Sequence, residues 1–253
     1  MANKVKITKF STTREELTIR GKIYGNLNGM KPAVILSHGF MANQSMCKKY
    51  AKILAKIGYI AITFDFCGGG LFCSSDGKTT DMSVYSEVED LEAVLSHVME
   101  LPFVNKKRIS LLGCSQGGMV SAIVAKRKAP LIEKLILFYP AFCIPNDAKK
   151  GKMVFAKFDP NNIPSIIRCG PMKLGKCYVE TVQNLDIYKE LRGYEGSVFL
   201  IHGNADKLVD ISYSRKAAQF LKNVNYYEIE NGSHGFSGKK DQIAIELLLN
   251  YMS

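Results

Sequence analysis

Apolar and polar positions along the chain follow two different periods, one typical of strands and one typical of helices. Apolar runs bounded by turn-forming residues predict strands, and apolar residues that recur every three to four positions predict helices. An amino-terminal antiparallel pair is predicted at residues 4–10 and 15–24. Further strands are predicted at residues 33–37, 60–65, 108–112, 134–139, 197–201 and 224–230, and the clearest helical patterns lie at 45–57, 85–99, 116–127, 212–222 and 242–251.

The order of these elements predicts the fold class. Strands that alternate with helices form a mostly parallel central sheet with helices on both faces, which is the α/β class. Functional residues of such folds collect in loops at the carboxyl ends of the strands. We therefore expect a single α/β domain over residues 1–253, with its chemistry in those loops.

One connection is too long for a simple crossover between strands. Over fifty residues separate Pro140 from the strand predicted at 197–201, whereas a crossover needs about a dozen. Side chains such as Phe142, Met153 and Tyr178 make the stretch too apolar for a disordered linker. We interpret residues 141–194 as an inserted cap. Whether its individual aromatic side chains build a small core or line a substrate pocket stays open.

Composition limits the class of protein. The chain has 253 residues, 47% of them apolar, and no apolar stretch of eighteen or more. Residues 1–6 alternate charged and apolar side chains, where a signal peptide would be continuously apolar. The seven cysteines include no CxxC pair, which fits reduced thiols. We expect a soluble, cytoplasmic protein without a membrane span, and leave open whether it forms a homodimer.

The formal net charge of +11 raises the possibility of a nucleic-acid partner. The basic residues, however, come in short scattered clusters such as 48–49, 106–108 and 126–128. A nucleic-acid binding surface would concentrate them and interleave them with aromatic residues. We therefore expect no nucleic-acid partner, and interpret the charge as a solvated surface that favours anionic substrates.

The most informative motif is the pentapeptide Gly113-Cys114-Ser115-Gln116-Gly117. It follows the strand predicted at 108–112 and opens the helix predicted at 116–127, which is the context of a nucleophile elbow. Glycines two residues either side of the serine leave room for the neighbouring strand and helix. Because the sharp turn exposes the serine Oγ, Ser115 is the candidate nucleophile.

A serine nucleophile needs a general base, and the chain has four histidines. His97 falls within a helical pattern, and His38 and His202 each precede a glycine at a strand end, where a ring nitrogen usually braces a loop. His234 lies in a glycine-flanked loop between the last strand and the last helix. A flexible position of that kind allows the imidazole to reach another loop, so His234 is the candidate base.

The base in turn needs a carboxylate to hold its tautomer. Asp206 lies in the loop after the strand predicted at 197–201, and the chain order Ser, Asp, His is the one that α/β-hydrolases use. Asp210 competes for this role, but it directly precedes a helical pattern and is better explained as a helix cap.

The last requirement is an oxyanion hole of backbone N–H groups. One donor is expected to be the amide of Gln116, directly after the nucleophile. The other is expected after the strand predicted at 33–37, where His38-Gly39-Phe40 places the amide of Phe40.

With these motifs the chain resembles the α/β-hydrolase superfamily over nearly its whole length. The matching segments are His38-Gly39-Phe40, Gly113 to Gly117, His202-Gly203-Asn204-Ala205-Asp206 and Ser233-His234-Gly235. Within the superfamily the chain is most similar to bacterial cinnamoyl and feruloyl esterases, through Tyr139-Pro140-Ala141, the segment 158–164 and Tyr178.

This narrower resemblance implies a role for two residues of the cap. In those esterases a lid aspartate and a lid tyrosine hydrogen-bond the phenolic hydroxyl groups of the substrate, which implies Asp147 and Tyr178 here. Asp147 is equally well explained as a solvated loop carboxylate. Val154 stands where the family has an assisting glutamine, and residues 65–70 depart from the family's usual glycine-flanked histidine.

The sequence therefore predicts a serine esterase for small or aromatic acyl esters. An acyl-aminoacyl or prolyl-type peptidase is the alternative enzyme, because the same residues can cleave amides. A binding protein that has lost the chemistry is the alternative of another class. No metal site and no cofactor are expected, because the histidines and cysteines lack ligand spacing and residues 68–70 lack a dinucleotide or Walker pattern.

Overall fold

The structure is a computed structural model that describes residues 5–253. Lys4, the first residue of the predicted strand 4–10, lies outside the described residues, as does most of the segment used above to argue against a signal peptide. In chain order the strands are β1 (Lys6–Arg14), β2 (Leu17–Gly25), β3 (Lys31–Ser37), β4 (Ile60–Phe64), β5 (Val104–Cys114), β6 (Ile132–Phe138), β7 (Lys152–Met153), β8 (Ala156–Lys157), β9 (Ile166–Cys169), β10 (Met172–Gly175), β11 (Ser197–Gly203) and β12 (Val224–Ile229). The helices are α1 (Lys48–Lys56), α2 (Val84–Met99), α3 (Gln116–Arg127), α4 (Ile144–Lys149), α5 (Lys176–Val182), α6 (Ile187–Leu191), α7 (Ser212–Phe220) and α8 (Gly238–Met252), with 3₁₀ turns at Gln44–Cys47 and Ala129–Leu131.

Eight of the strands form the central sheet, in the order β1-β2-β4-β3-β5-β6-β11-β12. The pairs β1–β2 and β2–β4 are antiparallel, and every pair from β4–β3 to β11–β12 is parallel. The α/β class with a mostly parallel sheet and an antiparallel amino-terminal pair is thus confirmed. The carboxyl ends of the parallel strands lie together at one edge.

The central strands are buried on both faces, so their side chains divide between two core layers. In β3, Ala33 and Ile35 join one layer, which also contains α2 and α3, while Val34 and Leu36 join the other layer with α1 and α8. This division follows from the two-residue period of a strand. No helix among residues 5–253 combines the length and the apolar character that a membrane span requires.

Most element boundaries differ from the sequence prediction by one to four residues, and two of these differences have a visible cause. The helix predicted at 45–57 is divided into the 3₁₀ turn and α1, because the Asn43 side chain accepts a hydrogen bond from Ser45 N (3.0 Å) and caps the turn first. Strand β5 begins before residue 108, because Val104 pairs with Lys31 across a register shift. Neither the Asn43 cap nor the pairing of Val104 with Lys31 leaves a periodic pattern in the sequence.

The long connection between β6 and β11 contains α4, two short hairpins (β7–β8 and β9–β10), α5 and α6. Its buried side chains, among them Met153, Ile167 and Leu174, join the core layer that contains α2 and α3. Helix α5 contacts α2, and helix α6 contacts α3 and α7.

Asp65 joins the loops at that edge of the sheet. It follows β4, is 2% exposed, and its carboxylate accepts hydrogen bonds from Gln44 N (2.6 Å), Gln44 Nε2 (2.9 Å), Ser74 N (2.9 Å) and Ser74 Oγ (2.6 Å). Burial disfavours the charge, but the hydrogen bonds from Ser74 and Gln44 outweigh it and lower the pKa of Asp65. The ionised Asp65 carboxylate therefore holds the loops after β3 and β4 together.

Replacing Asp65 by Asn is expected to lower the free energy of unfolding by about 3 kcal/mol at pH 7, because buried donors lose their acceptor. Since the folded state lowers the pKa of Asp65, its stabilisation is complete above about pH 4 and is lost as the pH falls through the folded value. Urea unfolding at pH 7 and pH 3 measures the difference, which should shrink in acid. The exposed Asp81→Asn variant is the control, and an equal loss at both pH values would contradict the assignment.

Candidate active site

Ser115 occupies a strained turn between β5 and α3. Its backbone has φ 55° and ψ −119°, a region that non-glycine residues seldom adopt. The turn is held on both sides, since Ser115 N donates to Phe138 O (2.9 Å) and Ser115 O accepts from Ala141 N (2.9 Å). The side chain is consequently fixed at the carboxyl edge of the sheet, as the pentapeptide predicts.

Two glycines make this turn sterically possible. A Cβ atom at Gly113 would lie 2.1 Å from Gly117 O, and one at Gly117 would lie 2.4 Å from His38 O. Real Cβ atoms do not approach backbone oxygens so closely, so no other residue fits at either position. Backbone therefore lies directly against backbone at both glycines.

The structure brings Ser115, His234 and Asp206 together. His234 lies in the loop between β12 and α8, with its Nε2 3.0 Å from Ser115 Oγ and its Nδ1 2.7 Å from Asp206 Oδ2. These distances allow the Ser115 hydroxyl to donate to the imidazole and the imidazole to donate to the carboxylate. The Asp206 side chain is fully buried, whereas that of His234 is 19% exposed.

Four donors surround the Asp206 carboxylate. Oδ1 accepts from Leu208 N (2.8 Å) and Val209 N (2.9 Å), and Oδ2 accepts from His234 Nδ1 and from His202 Nε2 (3.0 Å). Burial disfavours the charge, but the hydrogen bonds from both histidines and from Val209 N outweigh it and lower the pKa of Asp206 well below its usual range. The carboxylate is therefore ionised at any physiological pH.

Asp210, the competing carboxylate, has a different role. Its Oδ1 accepts from Ser212 N (2.8 Å) at the start of α7. Asp210 therefore holds the turn that leads into α7, while Ile211 occupies the capping position itself.

His202 contributes more than the sequence indicated. Its ring is fully buried, with Nδ1 2.6 Å from Ser214 Oγ and Nε2 on the Asp206 carboxylate. The Ser214 hydroxyl can donate to Nδ1, which leaves the proton on Nε2 for Asp206. The sequence interpretation identified a loop brace but missed this contact. The spacing of four residues between His202 and Asp206 is the signal that could have found it.

Tyr139 was also missed as a neighbour of the site. It directly follows β6, has φ 39°, and its ring meets that of His234 edge to face at a centroid distance of 4.9 Å. Phe236 packs against Tyr139 in turn, at 5.1 Å. These aromatic contacts restrict the orientation of the imidazole. No sequence pattern predicts these contacts, because Tyr139 comes from a different loop than His234 and Phe236.

The remaining histidines lie away from Ser115 Oγ. His38 donates from Nδ1 to Gly39 O (2.9 Å) and accepts at Nε2 from Phe66 N (3.2 Å), so it braces two loops as predicted. Burial lowers the pKa of His38, which keeps the ring neutral. His97 lies on α2 and stacks on Phe10 at 5.1 Å.

Within residues 5–253, one group of side chains has the spacing of a metal site. The ligand atoms of His38, Asp65 and Cys73 lie within 4.8 Å of one another. Both nitrogens of His38 and both oxygens of Asp65 are already hydrogen-bonded, and Cys73 Sγ contacts Ala42 O at 3.6 Å. These residues are better explained as the structural brace of the loops after β3 and β4.

The backbone amides of Phe40 and Gln116 lie beside the serine. The loop after β3 passes so close that a Cβ atom at Gly39 would lie 3.1 Å from Ser115 Cβ. Gln116 is the first residue of α3, and neither its N–H nor that of Phe40 meets an acceptor within the described part of the chain. Both groups are available to an oxygen atom of a ligand.

A cavity of about 260 Å³ opens in front of Ser115. Its wall is mostly apolar and comes from the loop after β3, α4, the β7–β8 hairpin, α5 and the loop after β11. Asp147 is half-buried there, on α4 rather than on the loop considered above. The lining residues are Gly39, Phe40, Met41, Ala42, Met46, Ser115, Gln116, Ala141, Cys143, Ile144, Asp147, Lys152, Met153, Val154, Phe155, Tyr178, Leu208, Val209 and His234.

A buried polar chain lies behind the serine. The hydroxyl of Tyr178 donates to Gln116 Oε1, and Gln116 Nε2 donates to Glu87 Oε2 (2.7 Å). None of these three residues is more than 1% exposed. Sequence reasoning missed Glu87, which comes from α2 and is far from Gln116 in the chain.

Glu87 is the site's second buried carboxyl group, and its pKa moves opposite to that of Asp206. Burial raises the pKa of Glu87 well above its usual value, and the negative charge of Asp90 adds to the effect, while the hydrogen bond from Gln116 opposes it. A single charge-neutral donor does not compensate the loss of hydration. Burial likewise raises the pKa of Tyr178, so its hydroxyl keeps its proton.

Comparison with protein families decides the classification. The family model described as serine aminopeptidase, S33, matches residues 28–190, well over half of the chain. The chain belongs to this family of α/β-hydrolases. The resemblance inferred from the motifs is thereby confirmed for the fold and the superfamily.

Individual relatives of this α/β-hydrolase extend the comparison. Monoacylglycerol lipase abhd6-B from Xenopus laevis is 22% identical over 98% of this chain and 82% of its own length. Polyketide transferase grgF from a Penicillium species is 32% identical over 116 residues, which span 45% of this chain and only 38% of the fungal protein.

Among solved structures, that of Est1E from Butyrivibrio proteoclasticus with bound ferulic acid has a TM-score of 0.88 and 25% identity. The match covers 96% of this chain and 98% of that one. Together the comparisons identify an α/β-hydrolase of the esterase and lipase type.

The Glu87→Gln variant of this α/β-hydrolase is expected to be more stable than the wild type in alkaline solution. Because folding raises the pKa of Glu87, the native state loses stability as the pH rises from about 4.3 toward the folded value. Glutamine cannot ionise and keeps an oxygen that accepts from Gln116. The stability gain should therefore be small at pH 5 and larger at pH 8, as measured by urea unfolding.

The control is Glu89→Gln, an exposed position on the same helix. It is expected to show no such pH-dependent gain. A Glu87→Gln variant that is less stable than the wild type at pH 8 would show that Glu87 is ionised in the folded protein.

Proposed function

We propose that this α/β-hydrolase cleaves carboxylic esters through a triad of Ser115, His234 and Asp206. The observation that carries the proposal is the continuous hydrogen-bond chain from Ser115 Oγ through both nitrogens of His234 to Asp206. A serine hydroxyl is a weak nucleophile unless a base removes its proton, and the chain places a base within reach.

In the proposed mechanism His234 Nε2 takes the Ser115 proton as Oγ attacks the ester carbonyl. Asp206 stays ionised and stabilises the imidazolium that forms. His234 then returns the proton to the leaving alcohol, which leaves an acyl group on Ser115. A water molecule repeats the cycle, releasing the acid and restoring the serine.

The free N–H groups of Phe40 and Gln116 form the proposed oxyanion hole. The Gln116 amide lies at the start of α3, where the helix dipole favours negative charge. The buried chain to Glu87 and Tyr178 fixes the Gln116 side chain, so it cannot swing into the site of reaction.

We further propose an acyl group that is small or aromatic. A cavity of about 260 Å³ with a mostly apolar wall suits such a group. Tyr178 and Asp147 both line it and are the proposed partners of a phenolic hydroxyl group. Because Tyr178 donates its own proton to Gln116, its oxygen serves as an acceptor for the phenol. Est1E, which binds ferulic acid, supports this substrate class.

The segment 141–194 is the proposed cap of a single domain formed by residues 1–253. Its elements α4, β7 and α5 supply a wall of the cavity, while the sheet supplies Ser115 and the loop that bears Asp206. In this arrangement the cap determines which acyl group fits, and the strand ends carry the chemistry.

Peptide hydrolysis is the second candidate, favoured by the description of the family as a serine aminopeptidase. In such a reaction the Asp147 carboxylate in the cavity would pair with the free amino group of the peptide. The mechanism is otherwise unchanged, because an amide carbonyl reacts with Ser115 in the same way.

The Ser115→Ala variant is expected to lose kcat on p-nitrophenyl esters by about 10⁶, the scale of triad removal in serine hydrolases. A serine-directed phosphonate should add one covalent label, detected by mass spectrometry, to the wild type and none to the variant. Ser110→Ala is the matched control, because Ser110 lies on β5, the strand that leads to Ser115, with a buried hydroxyl that has no partner within residues 5–253. Equal rates for Ser115→Ala and the wild type would refute the triad.

A matched substrate panel tests the acyl group and the leaving group. The proposal predicts a higher kcat/KM for methyl hydroxycinnamates than for the corresponding anilides, and for hydroxycinnamates than for methyl cinnamate, which lacks the phenolic hydroxyl. Tyr178→Phe should remove the second preference, at a loss of about fivefold to tenfold for one hydrogen bond. Faster cleavage of aminoacyl anilides than of any ester would favour the peptidase.

A further inference from the structure

The β7–β8 hairpin has an apolar tip that folding alone does not explain. Lys152 pairs with Lys157 and Met153 with Ala156, so Val154 and Phe155 form the two-residue turn. Met153 and Ala156 are buried in the core, whereas Phe155 is 74% exposed. The tip thus presents an aromatic ring to solvent beside the cavity.

The backbone of this tip is strained as well. Two-residue hairpin turns favour Asn, Asp or Gly, because their backbone requires positive φ. Val154 has φ 52°, an outlier for a β-branched residue. A sequence selected only for stability would place a polar turn here, so an apolar residue in a strained position points to a partner for the tip.

The two lysines beside the tip oppose each other. Lys152 and Lys157 are exposed and lie directly across from one another, and like charges at such positions destabilise a hairpin. Negative charge brought close to both would relieve the repulsion. The hairpin therefore has two unfavourable features, an exposed apolar tip and a pair of opposed lysines. A partner that is both apolar and negatively charged would relieve both.

The surrounding segment concentrates the positive charge of the chain. Residues 149–176 contain seven basic side chains and one acidic side chain, Asp159. Among residues 5–253, Lys176 is the one of these seven with an ion-pair partner, Glu180 at 3.2 Å. The basic side chains of the segment are Lys149, Lys150, Lys152, Lys157, Arg168, Lys173 and Lys176.

We propose that this hairpin docks the protein on an anionic lipid surface. Phe155 and Val154 insert at the boundary between headgroups and acyl chains, and Lys152 and Lys157 meet the anionic headgroups. An aromatic tip flanked by lysines matches the layers of such a surface, which is apolar inside and negatively charged outside.

Docking in this orientation places the cavity at the lipid surface. Lys152, Val154 and Phe155 all line the cavity, and Leu208, 44% exposed, lines it from the opposite loop. An amphiphilic molecule leaving the lipid layer would enter without crossing bulk water. This surface goes beyond the proposed ester hydrolysis, and binding to lipid does not require that chemistry.

The test is flotation of the protein with large unilamellar vesicles, performed on the full chain with Ser115→Ala so that no lipid is hydrolysed. Vesicles of phosphatidylglycerol and phosphatidylcholine are compared with vesicles of phosphatidylcholine alone. The proposal predicts binding to the anionic vesicles. The double variant Lys152→Gln/Lys157→Gln should weaken it about 25-fold, roughly fivefold per lysine, and Phe155→Ser roughly tenfold or more.

Matched controls come from the amino ends of the strands, at the opposite end of the sheet. Met30 is 70% exposed just before β3, and Lys106 and Lys107 lie near the start of β5. Met30→Ser and Lys106→Gln/Lys107→Gln should leave vesicle binding unchanged. Thermal unfolding of every variant checks that each is folded.

Three results would overturn the proposal. The first is a lack of binding to anionic vesicles by the parent protein. The second is equal weakening by the hairpin and the control variants, since that would assign the attraction to the net charge of +11 as a whole. The third is equal binding to neutral and anionic vesicles, because the lysines would then have no role.

Discussion

The conformation of Ser115 is the constraint on which the rest of the site depends. A non-glycine residue at φ 55° costs on the order of 1–3 kcal/mol, and the surroundings must supply this energy. They do so through β5 and α3, whose buried residues fix the chain before and after the turn. Because Gly113 and Gly117 allow backbone to approach backbone, the hydroxyl can stand clear of the sheet while its own main chain is enclosed.

Two buried carboxyl groups near this turn show how the environment decides charge. Asp206 has four donors, two of them imidazoles, and is ionised. Among residues 5–253, Glu87 has one hydrogen-bond donor, the Gln116 amide, and burial favours its neutral form. The ionised group faces the histidine, where a positive charge develops in the proposed reaction. The neutral group lies behind the elbow, where it links α2 to the residue after the serine and, through Tyr178, to α5. The charged carboxylate, Asp206, and the structural carboxyl group, Glu87, thus lie on opposite sides of Ser115.

Sequence reasoning succeeded for the fold, because alternating strands and helices leave a local pattern in the chain. The pentapeptide around Ser115 and the loops bearing Asp206 and His234 are also local patterns, and they lie at the strand ends where the fold puts them, while the catalytic roles of these residues stay a prediction. Sequence reasoning failed for contacts between distant segments. The pairing of Glu87 with Gln116 and the packing of Tyr139 on His234 depend on how α2 and the strand ends are placed in space. The β7–β8 hairpin was missed because its turn residues, Val154 and Phe155, are not turn formers.

The segment 141–194 is inserted between two neighbouring strands of the sheet, and this has a consequence for how the protein can diversify in evolution. The segment leaves at the end of β6 and returns at β11, and these two strands are adjacent and parallel, with Leu135 paired to Val198. The segment therefore begins and ends at neighbouring strands that remain paired whatever lies between them. Such a cassette can be exchanged, lengthened or shortened by recombination without moving Ser115, Asp206 or His234. Under the proposed function, a single genetic event of this kind changes the range of substrates while the proposed catalytic residues keep their positions.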